Sequence, residues 1–206
     1  LEKIGLEQAD KGVHILDVNV GLPEIDEPQM LRRVVCELQA VSPLPLQIDT
    51  SDAFAMEAAL RRYNGKAMIN SVNGKTESMS AVFPLVKKYG GLVVALTLDE
   101  KGIPKTSDAR FEIAQKILAT AKEYGIDKKD IIFDTLALTI SADGNAALET
   151  LKALDYIKHE MGCHISLGVS NISFGLPHRE VINSVFFANA LERGLSAAIM
   201  NPYSTD

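Results

Sequence analysis

Short, nearly continuous apolar runs alternate with amphipathic helical stretches along this chain, no linker-like segment interrupts them, and five of the runs end in small polar residues. These three observations predict an α/β fold of parallel βαβ units joined by right-handed crossovers and closed into a (β/α)8 barrel. Strands covered on both faces lose the alternation of a half-exposed sheet, so they read as unbroken apolar stretches. The rival arrangement is an open doubly wound sheet, with its site at a switch point instead of around a ring.

In chain order, residues 1–11 look like the end of a helix, and strands are expected over about 13–20, 44–50, 66–71, 91–98, 130–136, 164–169 and 195–200. From Thr76 to Tyr89 a helix carries Met79, Val82, Phe83 and Val86 on one face, with Thr76 as N-cap and Gly90 as its stop. Pro84 should kink it. A second helix is expected within Pro104 to Gly125, with Phe111, Ala114, Leu118 and Ala121 as the buried stripe and Lys and Glu outside. A third runs from Asn145 to Met161 with Leu148, Leu151, Leu154 and Ile157 inward. An eight-stranded barrel needs one strand more than this. The expectation is therefore a single domain over 1–206 that lacks the first strand and the last helix, a piece of a larger polypeptide.

A length of 206 residues suits one undivided domain with a full core. The net charge of −6 supplies no clustered basic face for nucleic acid or an anionic membrane. No N-terminal run has the grammar of a secretion signal, and none approaches the length of a membrane span. Cys36 falls in a helical pattern and Cys163 beside a strand, which fits a reducing cytoplasm better than a disulfide framework.

The polar strand ends are Asp17 and Asn19, Asp49, Asn70, Asp134, and Ser170 with Asn171. In a barrel of this type functional residues sit at the carboxyl ends of strands. Asp, Asn or Ser just after a strand is also the commonest N-cap of the next helix, so each position alone carries both readings. Asp52 and Thr76 are better placed as caps. Asp49 and Asn70 lie on the apolar run itself, where burial is costly unless a ligand or partner satisfies them. Carboxylates and carboxamides without a convergent Lys or Arg cluster suit a neutral, flat ligand rich in N–H donors more than a phosphate. A pterin is such a ligand, because its 2-amino group and N3–H form a donor pair that one carboxylate can accept.

The segments Asp17-Val-Asn19-Val-Gly21, Ile48-Asp49, Met68-Ile69-Asn70-Ser71, Phe133-Asp134 and Gly168-Val-Ser170-Asn171-Ile-Ser173-Phe174-Gly175-Leu176-Pro177 resemble the pterin-binding methyltransferase family over nearly the whole chain. The last segment, with Met200-Asn201-Pro202, is most similar to the folate-binding domains of cobalamin-dependent methionine synthases. The resemblance implies that Asp134 holds the 2-amino and N3 edge of a pterin and that Asp49 and Asn70 bind other polar ring atoms. Asp17, Asn19, Gly168 and Ser170 would line the same mouth. It also implies 5-methyltetrahydrofolate as substrate and a corrinoid, or cobalamin, carried by another domain or protein as methyl acceptor, with no metal bound by this domain. Asn171 would lie near N5 and act in catalysis, donating a hydrogen bond that strengthens as the carbon–nitrogen bond breaks.

Other signals are weaker. His159, Cys163 and His164 cluster across a helix end, but no second ligand pair accompanies them, so a zinc site is not expected. Gly90-Gly91 lacks the rest of a phosphate loop. Arg179, Lys75 and Lys105 are candidates for the folate's glutamate tail or for plain surface roles. A dihydropteroate synthase would carry Ser-Arg-Lys where Ser170-Asn171-Ile172 stands, and a non-catalytic folate-binding module is the reading from a different class.

Overall fold

The structure, a computed structural model, describes residues 2–204. Its elements in order are α1 (Glu2–Asp10), β1 (Leu16–Asn19), α2 (Glu27–Val41), β2 (Leu46–Asp49), α3 (Ala53–Leu60), β3 (Met68–Asn73), α4 (Thr76–Tyr89), β4 (Leu92–Leu96), α5 (Ser107–Glu123), β5 (Ile131–Asp134), α6 (Ala146–His159), β6 (His164–Gly168), α7 (Arg179–Glu192) and β7 (Ala197–Ile199), with short 3-10 turns before β5 and after β6. All seven strands pair in parallel with their sequence neighbours. The sheet curls into a nearly closed barrel in which β1 and β7 do not pair, and the described residues contain no eighth strand.

Alternation along each strand sorts the side chains into two environments. Leu16, Val18, Ile48, Ile69, Val93, Ile131, Phe133, Ile165 and Leu167 point outward and are buried beneath the helices, in one core with Leu31, Phe83, Ile117, Leu154 and Ile157. Each large side chain fully buried there contributes roughly 1.5–3 kcal/mol by removing apolar surface from water. The lumen holds a smaller cluster of Met68, Val94 and Ile132 with Leu92, Leu96 and Ala197. The polar mouth rests on this apolar floor.

Helix ends follow local chemistry. Asp52 caps α3 by accepting from the Phe54 N–H at 2.8 Å, and Gly90 ends α4 in the left-handed region at φ 69°, which costs glycine little. Three expectations need correction. Thr76 is the first residue of α4, not its cap: Lys75 occupies that position, and the Thr76 N–H goes to Glu100 Oε1. The buried stripe of α5 is Arg110, Ile113, Ala114, Ile117 and Ala121, rotated from the expected one, with Phe111 and Leu118 only half-buried at its edge. On α6, Leu148 is exposed, while Thr150 and Ala153 turn inward. In both cases a polar residue takes a core position, Arg110 on α5 and Thr150 on α6. Pro84 lies inside a continuous α4.

A cleft of about 780 Å³ opens between the free edges of β1 and β7 and is lined in the lumen by Asp17, Gln47, Met68 and Ser166. It enters the barrel from the side, below the mouth. No helix among the described residues is long and apolar enough to cross a membrane.

Candidate functional site

Register places Asn19, Asp49 and Asn70 side by side, since Asn19 pairs with Asp49 and Asp49 with Asn70. All three end their inward-facing rows at the carboxyl side of the sheet. Asn19 Nδ2 donates to Asp49 Oδ2 at 2.9 Å, and Asn19 Oδ1 accepts from the Gly21 N–H at 3.0 Å, which orients the carboxamide. Beside them Thr50 is buried and donates to Glu27 Oε1 at 2.5 Å. Burial pushes the Asp49 carboxyl above the ordinary range; the Asn19 hydrogen bond pulls it down, and the Glu27 charge adds to the rise. Past Asn70 the register with β4 shifts before Val72, so the strand bends where its polar residue faces the mouth.

Asp17 stands apart from this row. It pairs with Gln47, two residues before the strand end, and accepts from Gln47 Nε2 at 2.6 Å. Its carboxylate therefore sits one inward-facing layer deeper, against the side cleft, and the expectation that it belongs to the rim needs that correction. Asp17 stays open to the side cleft, and partial loss of its water there is the main cause of its raised pKa, with the Gln47 bond lowering it and the Asp49 charge raising it further.

Across the mouth, Asp134 ends β5 and is 8% exposed. Its Oδ1 accepts from the Leu136 N–H at 2.7 Å, and its main-chain carbonyl accepts from both the N–H and the hydroxyl of Thr97. Leu136 has a left-handed φ of 60°, unfavourable for a branched side chain, and this turn aims its N–H back at the carboxylate. Burial pushes the Asp134 carboxyl up to about 6, against the pull of the Leu136 and Gly168 N–H groups and of the Arg110 charge.

Gly168, Ser170 and Asn171 follow on β6 and its 3-10 turn, Val169–Ser173. Asn171 is exposed, and among the described residues its carboxamide has no side-chain partner. A Cβ on Gly168 would lie 3.0 Å from Asn171 Nδ2, so glycine is what lets the amide rest against the strand. Arg179 turns under this loop: it donates to Ser170 O at 2.9 Å and Ser173 Oγ at 3.0 Å, and lies 4.6 Å from the Phe174 ring. Ser173 in turn donates to Asn183 Oδ1 at 2.7 Å. The guanidinium thus braces the turn that carries Asn171. Lys75 and Lys105 are exposed.

Sequence reasoning missed Arg110. It is 1% exposed in the first turn of α5 and donates to Pro104 O at 2.9 Å, Thr135 O at 2.8 Å, Leu136 O at 3.2 Å and Thr150 Oγ1 at 2.9 Å. The helical phase of Ile113, Ala114, Ile117 and Ala121 was the signal that could have found it, because those positions place Arg110 on the buried side.

The described residues contain no group of three or more His, Cys, Asp or Glu placed to hold a metal ion. The mouth is instead a set of acceptors and amides around an opening with an apolar floor. Such a set can accept N–H donors from a planar ring, at Asp134 above all, and can offer a carboxamide N–H to a ring atom above Gly168.

The sequence profile described as pterin binding enzyme matches residues 3–201. A methionine synthase of Mycobacterium tuberculosis is 33% identical over 96% of this chain, which covers 18% of that protein. A methylcorrinoid:tetrahydrofolate methyltransferase of Eubacterium limosum is 30% identical over 98% of this chain and 75% of its own length. The chain thus spans under a fifth of the methionine synthase it matches. Among solved structures, a dihydropteroate synthase from Coxiella burnetii in complex with pteroic acid superposes with a TM-score of 0.72 at 19% identity, covering 95% of this chain and 77% of that one. A Xanthomonas albilineans dihydropteroate synthase gives 0.69 at 23% identity, with 94% and 75% covered. These two likenesses speak for the barrel alone. With the profile match running almost from end to end over these strands and their polar ends, the chain belongs to the pterin-binding enzyme family.

Proposed function

We propose that this barrel binds 5-methyltetrahydrofolate through its pterin ring and supports transfer of the N5 methyl group to a reduced corrinoid carried by another domain or protein, as a step of methionine synthesis. The observation that carries the reading is the pairing, on neighbouring strands, of a buried carboxylate with an unpartnered carboxamide: Asp134 on β5 and Asn171 after β6. Asp134 keeps acceptor capacity beyond its Leu136 bond, and a 2-amino and N3–H pair satisfies it. Asp49, Asn70 and Asn19 take the remaining polar edge of the ring, Gly168 and Ser170 line the approach, and Asp17 supports the layer beneath.

The reduced corrinoid supplies the nucleophile. This chain's residues orient the ring and assist a poor leaving group, since an amine anion must not form as the carbon–nitrogen bond breaks. Asn171 Nδ2 donates to N5 as its charge develops, and the net proton comes from solvent. The Arg179, Ser173 and Asn183 network holds the Asn171 turn in place, so Arg179 serves the loop more directly than the folate tail. Ser170-Asn171-Ile172 stands where a dihydropteroate synthase would need its basic groups, which favours methyl transfer over that chemistry.

A second reading, a free-standing methyltransferase acting with a separate corrinoid protein, is supported by the relative from Eubacterium limosum, three-quarters of whose length this chain covers. That relative's name describes transfer towards tetrahydrofolate; the same residues serve either direction by microscopic reversibility. The decisive experiment titrates 5-methyltetrahydrofolate into the full-length protein and then adds reduced cobalamin. Asn171→Ala is expected to lower methyl transfer by about 10²–10³-fold, the scale of losing one preorganised donor, while the folate Kd changes little. Equal losses in both would make Asn171 an anchor of the ring and nothing more. Absence of folate binding by the intact protein would remove the proposal.

A further inference from the structure

We propose that Arg110 is a positioning residue for the ligand-binding carboxylate of Asp134, gripping from below the backbone turn that aims it. The inference rests on the reading of Asp134 as the pterin acceptor. Arg110 is a fully buried cation whose direct partners are all neutral: three main-chain carbonyls and the Thr150 hydroxyl. A buried guanidinium without a carboxylate in contact bears a large desolvation cost, and an apolar side chain of similar volume would avoid it. Two negative charges lie near enough to act on it through space, Glu149 and Asp134. Glu149 is already engaged by the Ser107 N–H at 2.7 Å and by Lys152 at 3.1 Å. Among the described residues, Arg110 is the cation that acts on Asp134.

The geometry gives the grip its purpose. Arg110 Nη1 meets the carbonyls of Thr135 and Leu136, the two residues immediately after Asp134. The Thr150 hydroxyl reaches the Leu136 carbonyl as well, at 3.2 Å, and the Thr135 hydroxyl donates to Thr150 O at 3.3 Å. Leu136 is therefore held at its carbonyl by α5 and α6 while its N–H holds Asp134. Its left-handed φ persists because both ends are fixed. Arg110 thereby acts in two ways. It sets the turn that orients the carboxylate, and its charge favours the ionised acid that accepts N–H donors. The groups facing Asp134 are the Leu136 N–H from its own turn, Gly168 from β6, Thr97 just after β4, which bonds its main-chain carbonyl, and Arg110 from α5, whose charge Glu149 of α6 also attracts.

The test measures 5-methyltetrahydrofolate affinity of the full-length protein from about pH 5 to 8. For the parent, affinity falls as acid protonates Asp134. Arg110→Met is expected to weaken binding about tenfold at neutral pH and to move the midpoint of the acid loss upward. Arg110→Lys restores much of the midpoint, because it keeps the charge, but less of the affinity, because it cannot span both carbonyls. Thr150→Val keeps the shape and the charge and removes one shared partner, with an expected loss of two- to threefold; it decides the matter if Arg110→Met does not fold. Folded Arg110→Lys and Thr150→Val proteins with the parent's affinity and midpoint would overturn the proposal. Asp134→Asn separates the two layers. Parental affinity in that variant removes the reading of Asp134 itself, whereas its loss of binding beside unaltered Arg110 and Thr150 variants removes only the role of Arg110.

Discussion

On the β1–β2 side of the mouth the polar side chains hold one another, Asn19 to Asp49 and Gln47 to Asp17, whereas on the β5–β6 side Asp134 is held by backbone and the Asn171 carboxamide has no side-chain partner among the described residues. Side-chain pairs at a half-buried rim can re-form around different ligand edges at small cost. A buried carboxylate fixed by main-chain N–H groups cannot. The contrast assigns rigidity to the β5–β6 side and adaptability to the strands opposite, and under the proposed function the reacting N5 lies beside the rigid part.

The comparison breaks most readily at Asp134. Asp134→Asn is expected to reduce 5-methyltetrahydrofolate affinity by on the order of 10²–10³-fold, given ~1.5–3 kcal/mol for each hydrogen bond to a charged group; isothermal titration at neutral pH reads this directly. If affinity persists, the rigid side is not the anchor.

The same substitution should stabilise the empty protein. Asp134 binds its proton more tightly when folded, with a pKa of about 6 against an ordinary 3.8, so the folded state is favoured in acid and loses that advantage as pH rises through about 6. Asp134→Asn removes the penalty, a gain of about 3 kcal/mol above pH 7 at ~1.4 kcal/mol per tenfold change in proton affinity, with no gain below about pH 4. Urea unfolding at several pH values measures it, and a gain that does not vary with pH would contradict the assignment of burial as the cause.

On the adaptable side, Asp49→Asn should cost only about tenfold in folate affinity, since Asn70 and Asn19 can rearrange around one lost charged hydrogen bond. A loss as large as that for Asp134 would erase the distinction between the two sides. Smallest is Asp52→Ala, outside the mouth, which should lower stability by about 1 kcal/mol through loss of the α3 cap and leave folate affinity unchanged.

Much of this was readable in the residues. Parallel strands buried on both faces announce themselves as apolar runs, and the polar residue closing each run marks the mouth, which is why Asn19, Asp49, Asn70 and Asp134 could be named before their register was known. Depth was harder to read. Asp17 and Asn19 lie on the same strand and the same face, and only the pairing with Gln47 and Asp49 shows that they occupy different layers. Arg110 escaped because charge patterning assigns an arginine on an amphipathic helix to solvent; only packing shows that carbonyls from the approach to α5 and the β5 turn, with the Thr150 hydroxyl of α6, surround it. Arg179 is legible as a candidate cation near the mouth, but not its hold on Ser170 and Ser173 beneath its own loop.

Gly168 leaves room for the side chain three residues on, at Asn171. A methyl group there would press on Asn171 Nδ2 at 3.0 Å and push the amide outward by a few tenths of an ångström. If that amide guides a departing nitrogen, whose hydrogen bond strengthens only over a narrow range of distances, then the aim of the reaction is set by the smallest side chain in the barrel. A side chain added at Gly168 would then disturb the same hydrogen bond that substitution of Asn171 removes.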